Sequence, residues 1–425
     1  MERRTFLVGS ALALPMMGAN EKVNMAVVGV GGRGSAHVRE YLNIPGARVA
    51  ALCDVNTAAT ERNEQVVLKS QGDKPKIYQD LRKLYEDKSI DAVSIATPNH
   101  WHALATIWAC QAGKDVYVEK PASYNVFEGQ QMQKAARKYN RMVQVGMQSR
   151  SIGFKRRAIE LLRDGAIGKV YYAKGLCFKR RPSIGHAENE PTPPGIAWDI
   201  FLGPAPMRPF NQLRFKYNWH WFWDTGNGDI GNQGIHEMDV ARWGLGRGLP
   251  KSVVSTGGKY VYEDDQETPN TQIATFDYGD AELVFEVRGL NTGGEANIAP
   301  GGANFVGNIW LGSKGYMSLD HKGFQIFLGD KREPGEASKP TDKGDTKEHM
   351  LNFLEAVKTR NMKDLHGEVA EGVTSAVLVH MANTSYRLGR KLAFDPNTEK
   401  YVKDAEANAM LTRPHYREPY NPAKV

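Results

Sequence analysis

The stretch Val27-Val28-Gly29-Val30-Gly31-Gly32-Arg33-Gly34-Ser35-Ala36-His37 decides the fold of this chain, because it carries a glycine-rich turn of the form G-x-G-x-x-G. An apolar run, Val23 to Val28, precedes the turn and predicts a strand, and the run from Ser35 to Leu42 predicts a helix. A second apolar run, Arg48 to Cys53, predicts another strand and ends in Asp54. This order of elements, which is strand, tight turn, helix, strand and acidic residue, indicates a dinucleotide-binding βαβ unit.

Each glycine of the turn has its own expected role in holding a nucleotide. Gly29 permits the turn, Gly31 lets the backbone approach a pyrophosphate, and Gly34 lets the helix pack on the strand. The unpaired N–H groups and the dipole at the helix N-terminus favour the phosphates. Asp54 lies 20 residues after Gly34, where its carboxylate can accept hydrogen bonds from the adenosine ribose. That carboxylate would repel a 2′-phosphate, so the sequence favours NAD, and nearby Arg33 leaves NADP open.

The chain begins with a pattern that is typical of an export signal. Met1-Glu2-Arg3-Arg4-Thr5-Phe6-Leu7 contains a twin arginine, and an apolar stretch, residues 6–17, follows it. This stretch is shorter than the about 20 residues that a membrane span needs. We therefore exclude residues 1–20 from the fold and expect a periplasmic or otherwise exported protein. The alternative is a frayed terminus with a chance arginine pair. No later segment resembles a transmembrane helix.

The composition restricts the partners of the protein. The formal net charge is +7, but the charges are interspersed and no block resembles a nucleic-acid-binding arm. The two densest basic runs, residues 155–157 and 179–181, are usually solvated faces, and the alternative is that they attract acidic sugars or a cell-wall polymer. The three cysteines form no C-x-x-C pair, which favours buried apolar residues over a disulfide framework or a metal site.

Strand and helix patterns alternate in the first half of the chain. Beyond the elements already described, strands are predicted at residues 76–78, 92–96, 116–118 and 142–146, and helices at 58–70, 80–85, 102–112 and 126–139. The alternation predicts residues 22–146 as a Rossmann domain, which is a doubly wound parallel sheet with helices on both faces. Ligands of such sheets bind where the strands end. The segments that fall there are the Gly29 turn, residues 97–102 and residues 119–121.

The second half predicts an α+β domain, residues 147–425, with an open and largely antiparallel sheet. Its extended runs alternate apolar and polar residues, at 170–173, 252–255, 271–277, 281–288, 308–311 and 316–319. Helices are predicted at 154–164, 346–358 and 369–389. A long excursion rich in Pro and Trp, residues 181–224, interrupts the strands. We expect most of its aromatic side chains to attach it to the core and a minority to form a sugar-stacking wall. The site is expected in the cleft between the domains.

Several ordered motifs together resemble the Gfo/Idh/MocA family of NAD(P)-dependent sugar and cyclitol oxidoreductases. The resemblance runs from about residue 22 to about residue 396 and rests on Gly29-Val30-Gly31-Gly32-Arg33-Gly34, Thr97-Pro98-Asn99, Glu119-Lys120-Pro121, Gly146-Met147-Gln148 and Gly234-Ile235-His236. Together with residues 198–204 and 231–239, the twin-arginine leader resembles the exported bacterial branch of that family.

The resemblance implies the catalytic candidates Lys120, His236 and Asn232. In family members the lysine that matches Lys120 contacts the reacting hydroxyl, and a partly desolvated lysine beside a nicotinamide cation suits a proton relay. His236 is a candidate because imidazole titrates near neutrality. Many members carry an aspartate four residues before this histidine, where this chain has Asn232. An amide can orient a hydroxyl but cannot accept its proton.

The expected cofactor contacts come from the ends of the predicted strands. They are Gly29, Gly31, Gly32, Arg33, Gly34, Asp54, Thr97, Pro98, Asn99, His102, Glu119, Lys120 and Gln148. His102 matches a family position near the nicotinamide, and His100 is expected to be a loop residue. Gln148 and Arg150 either reach the ribose, nicotinamide or substrate, or merely begin the second domain. The His spacing fits no metal-binding motif.

Three functions fit these patterns. The first is an exported sugar or cyclitol dehydrogenase that retains its NAD(P), and the turn, Asp54, Lys120 and His236 favour it. The second is a redox-neutral glycosidase or glycoside-processing enzyme that oxidises a hydroxyl transiently and then returns the hydride. The third is a non-catalytic sugar-binding protein on an inherited fold. A homo-oligomer is expected by analogy with family members, which often pair through the open sheet.

Overall fold

The computed structural model describes residues 22–295, 298, 304–338 and 346–423. The export signal that we expect in residues 1–20 lies outside the described residues. Across the described part of the chain, no helix has both the length and the apolar character that a membrane crossing needs.

The first sheet is parallel and lies between helices. Its strands are β1 (Val23–Val28), β2 (Ala47–Cys53), β3 (Lys76–Tyr78), β4 (Ala92–Ile95), β5 (Asp115–Val118) and β6 (Val143–Val145). The helices that connect them are α1 (Arg33–Leu42), α2 (Thr57–Gln71), α3 (Leu81–Glu86), α4 (Asn99–Gln111) and α5 (Val126–Lys138). The spatial order is β3-β2-β1-β4-β5-β6. Because the order reverses between β1 and β4, a ligand-binding crevice is expected at their carboxyl ends.

Capping side chains explain where three of these helices begin. Asn56, Asp80 and Asn125 each accept a hydrogen bond from a backbone N–H in the first turn of α2, α3 and α5, respectively. Such caps satisfy N–H groups that lack a partner within the helix. No side chain caps α1, which begins directly after the glycine-rich turn. Helix α4 also begins without a side-chain cap, so α1 and α4 are the helices of this group whose N-termini no described side chain caps.

The second sheet is mixed and mostly antiparallel. Its strands are β7 (Val170–Phe178), β8 (Ser252–Gly258), β9 (Thr271–Asp277), β10 (Glu282–Arg288), β11 (Phe305–Gly312), β12 (Gly315–Leu319), β13 (Phe324–Leu328), β14 (Glu333–Ala337), β15 (Leu392–Asp395) and β16 (Lys400–Tyr401). They lie in the order β14-β13-β12-β11-β7-β10-β9-β8-β15-β16, and β7 and β10 are parallel. The fold class predicted from the sequence, a parallel sheet followed by a largely antiparallel one, is confirmed.

Helices connect the two sheets and cover them. They are α6 (Gly153–Arg163), α7 (Trp198–Leu202), α8 (Gly228–Asn232), α9 (Gly234–Leu245), α10 (Thr346–Thr359), α11 (Val369–Leu388) and α12 (Ala405–Ala409), with 3₁₀ turns at Gln148–Ser151, Asn218–Trp221 and Met362–Asp364. Met350 and Phe353 of α10 join the apolar cluster that contains Val23 and Met25 of β1. A helix from late in the chain therefore completes the core on one face of the first sheet.

Three local features differ from the sequence-based expectations or extend them. Helices α8 and α9 were not predicted, because α9 is buried on nearly all sides and lacks an amphipathic pattern. Helix α4 begins at Asn99 instead of His102. His100 is therefore a buried residue of the first helical turn and not a loop residue, and its Nε2 lies 2.9 Å from the carbonyl oxygen of Phe201. The cysteines Cys53, Cys110 and Cys177 are buried and unpaired, as the sequence predicts.

The packing of α9 on the second sheet leads to a stability prediction. A Cβ added at Gly244 would overlap the indole of Trp310, which is fully buried and donates to the Ala241 carbonyl. We expect Gly244→Ala to lower the free energy of unfolding by about 1–3 kcal/mol, the usual cost of overpacking a core. Chemical denaturation measures this loss.

Gly248→Ala is the matched control, because a Cβ at Gly248 meets nothing within 4 Å. Its free energy of unfolding should stay within about 0.5 kcal/mol of the wild type. Equal stability of the two variants would contradict the described packing of α9 on β11.

Candidate active site

A cavity of about 700 Å³ lies at the carboxyl ends of the first sheet, beneath a loop of the Trp-rich excursion. Many of the residues expected to bind a cofactor line it. These are Gly29, Gly31, Gly32, Arg33, Asp54, Thr97, Pro98, His102, Glu119 and Lys120, and the catalytic candidate Asn232 lines it as well. The segments that the sequence predicted at one sheet edge therefore come together around one space.

The glycine-rich turn has the shape that a pyrophosphate requires. Gly29 has φ +80°, and a Cβ there would lie 2.8 Å from the Ala96 backbone. A Cβ at Gly34 would overlap the Gly29 carbonyl oxygen, so Gly34 serves helix packing and does not line the cavity. At Gly31 and Gly32 a Cβ would meet nothing within 4 Å, although both residues line the cavity. Open space lies where phosphates would meet the backbone.

The glycine-rich turn, residues 29–34, and the N-terminus of α1 together form what we call the glycine cradle. The first turn of α1 contains no acidic side chain. Ser35 donates its hydroxyl hydrogen to carbonyl oxygens of the turn, at 2.8 Å from Val30 O, and Asn63 donates to the same oxygen at 2.9 Å. These bonds hold the turn while leaving the helix N–H groups free of side-chain caps. A dinucleotide pyrophosphate fits this arrangement, because the helix end offers both donors and a favourable dipole.

Asp54 directly follows β2 and lines the cavity. Its Oδ1 accepts a hydrogen bond from the Asn56 backbone at 2.8 Å. Burial raises the pKa of Asp54 to about 6, and Arg62, which also lines the cavity, acts in the opposite direction. Arg33 does not lie beside this carboxylate, because its Nε donates to Glu119 Oε1 at 2.8 Å.

Glu119, which directly follows β5, is bound by hydrogen bonds to side chains of the glycine-rich turn and of α1. Its Oε1 accepts from Arg33 Nε, from Gln148 Nε2 at 3.1 Å and from His37 Nε2 at 3.0 Å, while His37 Nδ1 lies 2.9 Å from Ser94 Oγ. Burial opposes ionisation of Glu119, but Arg33 and His37 outweigh it and hold the pKa of this carboxyl well below its usual range. Gln148, expected to contact the cofactor, instead lies behind Glu119 and does not line the cavity.

Lys120 links the first sheet to α8. Its Nζ donates to the Asn232 carbonyl oxygen at 2.9 Å, and the Asn232 side chain donates to the Tyr217 hydroxyl at 2.8 Å. Burial lowers the pKa of Lys120, and the Glu119 carboxylate opposes this shift. The half-buried ammonium group of Lys120 therefore lines the cavity beside Asn232.

The histidines expected near the nicotinamide have different surroundings. His102 lines the cavity, but Nδ1 lies 2.6 Å from Pro121 O and Nε2 lies 2.8 Å from Thr97 O, so both ring nitrogens face backbone carbonyls. His236 is half-buried in the first turn of α9 and is not among the cavity-lining residues. Burial lowers the pKa of His236 well below its usual value, and the positive charge of Lys120 adds to the shift. It lies within electrostatic range of Lys120 without lining the cavity.

The structure also places Asn99, which was expected to contact the cofactor, and Arg150, for which the second of the two alternatives left by the sequence holds. Asn99 is buried in the first turn of α4 and donates to the side chain of Asn227 at 2.5 Å, so it does not line the cavity. Arg150 is buried between Asp239 and Glu371, at 2.8 Å and 2.9 Å, and links helices of the second domain. Neither side chain is in a position to contact a ligand in the cavity, because each is bound to protein partners.

The excursion supplies residues that sequence reasoning did not single out. Trp198, Phe201, Phe210 and Phe215 form a separate buried cluster within the excursion, and Trp198 stacks on Phe201 with centroids 4.8 Å apart. The segment around the 3₁₀ turn Asn218–Trp221 instead lines the cavity with Tyr217, Trp219 and His220. The density of aromatic residues was visible in the sequence, but the side chains that face the cavity were not.

Curated proteins resemble this chain in sequence, and solved structures resemble it in fold. The chain is 29% identical over 161 residues to glycosyl hydrolase family 109 protein 1 of Shewanella sp., covering 36% of this chain and 34% of that protein. It is 27% identical over 243 residues to 2,7-anhydro-N-acetylneuraminate hydratase of Mediterraneibacter gnavus, covering 57% and 54%. The chain thus spans between about a third and about half of these relatives. The WlbA dehydrogenase of Bordetella pertussis, in complex with NADH and UDP-GlcNAcA, shares the fold with a TM-score of 0.66 at 20% identity, over 88% of this chain and 99% of that chain.

Family models cover both halves of the chain. The oxidoreductase family with an NAD-binding Rossmann fold matches residues 23–147. The C-terminal alpha/beta domain of that oxidoreductase family matches residues 174–284 and 320–422. The first domain is therefore an NAD-binding Rossmann domain, and NAD is its cofactor. On these matches, and with the motifs on which the resemblance rests, the chain belongs to the Gfo/Idh/MocA family of oxidoreductases.

Proposed function

We propose that the protein transfers a hydride between NAD and a hydroxyl or keto carbon of a sugar, glycoside or cyclitol. The observation that carries this proposal is that Lys120 and the dinucleotide cradle line one cavity of about 700 Å³. A cavity of this size suits a small-molecule ligand together with part of a cofactor. The similarity to a glycosyl hydrolase family 109 protein and to 2,7-anhydro-N-acetylneuraminate hydratase supports a carbohydrate substrate.

The side chains around the cavity have separate tasks in this reaction. Bound NAD supplies the hydride chemistry, and the protein orients the reactants. The cradle fixes the pyrophosphate, and Asp54 accepts hydrogen bonds from the adenosine ribose. Lys120 donates a hydrogen bond to the oxygen of the reacting hydroxyl and so assists the departure of its proton. Asn232 fixes Lys120 through its backbone carbonyl.

Export and assembly complete the proposal. The twin-arginine leader supports transport of the folded protein with its cofactor retained, to the periplasm or beyond. We propose residues 22–146 as the cofactor domain and residues 147–425 as the substrate domain.

Exposed Tyr171, Val254 and Ile273 on β7, β8 and β9 support association of copies through the open sheet.

A redox-neutral glycosidase is the second candidate, because relatives carry the name glycosyl hydrolase family 109. Such an enzyme would oxidise a hydroxyl, eliminate or hydrolyse the glycoside, and return the hydride, so its cofactor would show no net change. Lys120 would contact the reacting hydroxyl in either enzyme, so the net formation of NADH distinguishes them. A sugar-binding protein without catalysis would transfer no hydride at all.

Removal of the Lys120 ammonium tests the proposed reaction. We expect Lys120→Met to lower kcat by about 100- to 10,000-fold, the usual contribution of a group that moves a proton in the reaction. Absorbance at about 340 nm, followed after candidate sugars are added to the exported protein, reports net formation of NADH. Lys134→Met, at an exposed lysine of α5, is the matched control and should retain wild-type activity.

The readout separates the three functions. Net NADH formation that depends on Lys120 supports the dehydrogenase. Release of an aglycone without a net absorbance change supports the glycosidase, and neither signal supports the sugar-binding protein. Full activity of Lys120→Met would contradict the role given to this lysine.

The raised pKa of Asp54 predicts how NAD affinity depends on pH. Ribose hydroxyls donate to the ionised carboxylate, so binding is strongest above pH 7 and weakens as the pH falls through about 6. Between pH 8 and pH 5 we expect the affinity for NAD to fall by about tenfold. Calorimetric titration at the two pH values measures this change.

Asp54→Asn is the control for this titration. The amide does not titrate, so the variant should bind NAD more weakly at pH 8 and should show little change between pH 8 and pH 5. An equal pH dependence in the variant would mean that another group is responsible.

A further inference from the structure

We propose that His220 is a catalytic residue that accepts the proton of the reacting hydroxyl, while Lys120 holds the oxygen of that hydroxyl. The inference rests on the proposed function and deepens it, because it names the proton acceptor of the same site. An ammonium group has three donors and no acceptor, so Lys120 in its charged form can stabilise a developing alkoxide but cannot remove its proton.

The position of His220 is the first argument. It lies in the 3₁₀ turn Asn218–Trp221 and lines the cavity together with Lys120 and Asn232. Its ring is stacked on the indole of Trp219, with centroids 3.5 Å apart and an angle of 22° between the planes. The ring is therefore held at the cavity wall by an aromatic contact.

The hydrogen bonding of the ring is the second argument. Nδ1 of His220 lies 2.5 Å from the carbonyl oxygen of Tyr217, which can only accept. Nδ1 therefore carries the proton of the neutral ring, and Nε2 carries the lone pair. Within the part of the chain that the structure describes, Nε2 has no hydrogen-bond partner. It is also not among the side-chain atoms that are both buried and without a partner. The nitrogen that can accept a proton is thus the one left for a ligand.

The charges around the ring keep it neutral. Burial lowers the pKa of His220 well below its usual value, the Tyr217 carbonyl opposes this shift, and the positive charge of Lys120 from the end of β5 adds to it. Arg181 after β7 and His102 of α4 act in the same direction as Lys120. The nearby carboxylate of Asp229 is bound to Arg181 at 2.7 Å. At neutral pH the imidazole is therefore uncharged and ready to accept a proton.

The other groups near Lys120 do not fit this task. The amide of Asn232 cannot take up a proton. Both nitrogens of His102 face backbone carbonyls, and His236 does not line the cavity. Glu119 lines it, but its Oε1 already accepts hydrogen bonds from three side chains. Among the described residues that line the cavity near Lys120, His220 has an acceptor without a protein partner.

The step balances with NAD as the oxidant. The C–H bond of the alcohol carbon breaks, and its hydrogen leaves as a hydride with the bonding pair, which reduces NAD⁺ to NADH. The O–H bond breaks, its proton moves to Nε2 of His220, and its electron pair becomes the second C–O bond of the ketone. The imidazolium then returns the proton to water. In the direction of reduction, the same imidazolium donates the proton to the new alkoxide.

The variant His220→Asn separates the chemistry of this ring from its structural contact. An Asn side chain can still donate to the Tyr217 carbonyl, but it offers no proton acceptor at the position of Nε2. We expect kcat/KM for NADH formation to fall by about 100-fold or more, with NAD affinity within about twofold of the wild type. The wild-type rate should fall at a pH below the ordinary pKa of histidine, and His220→Asn should lack this acid limb. Added imidazole should restore part of the rate of the variant.

His186→Asn is the matched control, because His186 is an exposed histidine of the same excursion and lies outside the cavity. It should retain wild-type rates and the wild-type pH profile. Nitrogen-15 NMR of the wild-type histidines provides a second measurement that needs no substrate. We expect the Nδ1–H tautomer for the signal that His220→Asn removes.

The outcomes distinguish this inference from the function on which it rests. If the wild type is active and His220→Asn retains its rate and acid limb, the inference is overturned and the proposed function stands. An Nε2–H tautomer would overturn it as well. A wild type that transfers no hydride with any carbohydrate overturns both. Loss of rate with rescue by imidazole and unchanged NAD binding supports the inference.

Discussion

The ion-pair and hydrogen-bond cluster around Glu119 is the interaction on which the site depends. Arg33 from the first turn of α1, His37 one turn later and Gln148 after β6 all meet one carboxylate oxygen. The buried carboxylate remains ionised because these donors surround it. This cluster fixes the distance between the glycine cradle and the end of β5, and so determines where Lys120 enters the cavity relative to a bound dinucleotide.

The residues found from sequence are those whose role depends on local chain geometry. Gly29 and Asp54 follow directly from a strand–turn–helix–strand pattern, and Lys120 from the end of a predicted strand. Asn99 and Gln148 were placed at the right sheet edge, but their side chains turn toward Asn227 and Glu119. Which way a side chain turns depends on distant partners, and spacing along the chain does not specify them.

The features that sequence reasoning missed all depend on long-range packing. Helix α9 lacks an amphipathic pattern because both sheet and helices bury it. Helix α10 contributes to the core of a sheet that begins more than 300 residues earlier. The cavity wall formed by Tyr217, Trp219 and His220 exists because the excursion folds back over the first sheet, with its own aromatic cluster as an anchor. Cofactor chemistry is thus local in sequence, whereas the substrate side of the cavity is assembled from distant segments.

We propose that NAD lies along the N-terminus of α1 with its nicotinamide facing Lys120. A crystal structure of the protein with bound NAD would show whether it does. We expect the pyrophosphate at Gly31 and Gly32, and the nicotinamide C4 within about 8 Å of Lys120 Nζ, the span of a hydride transfer, a C–O bond and a hydrogen bond. A nicotinamide ring turned away from Lys120, or a dinucleotide bound outside the cavity, would contradict it.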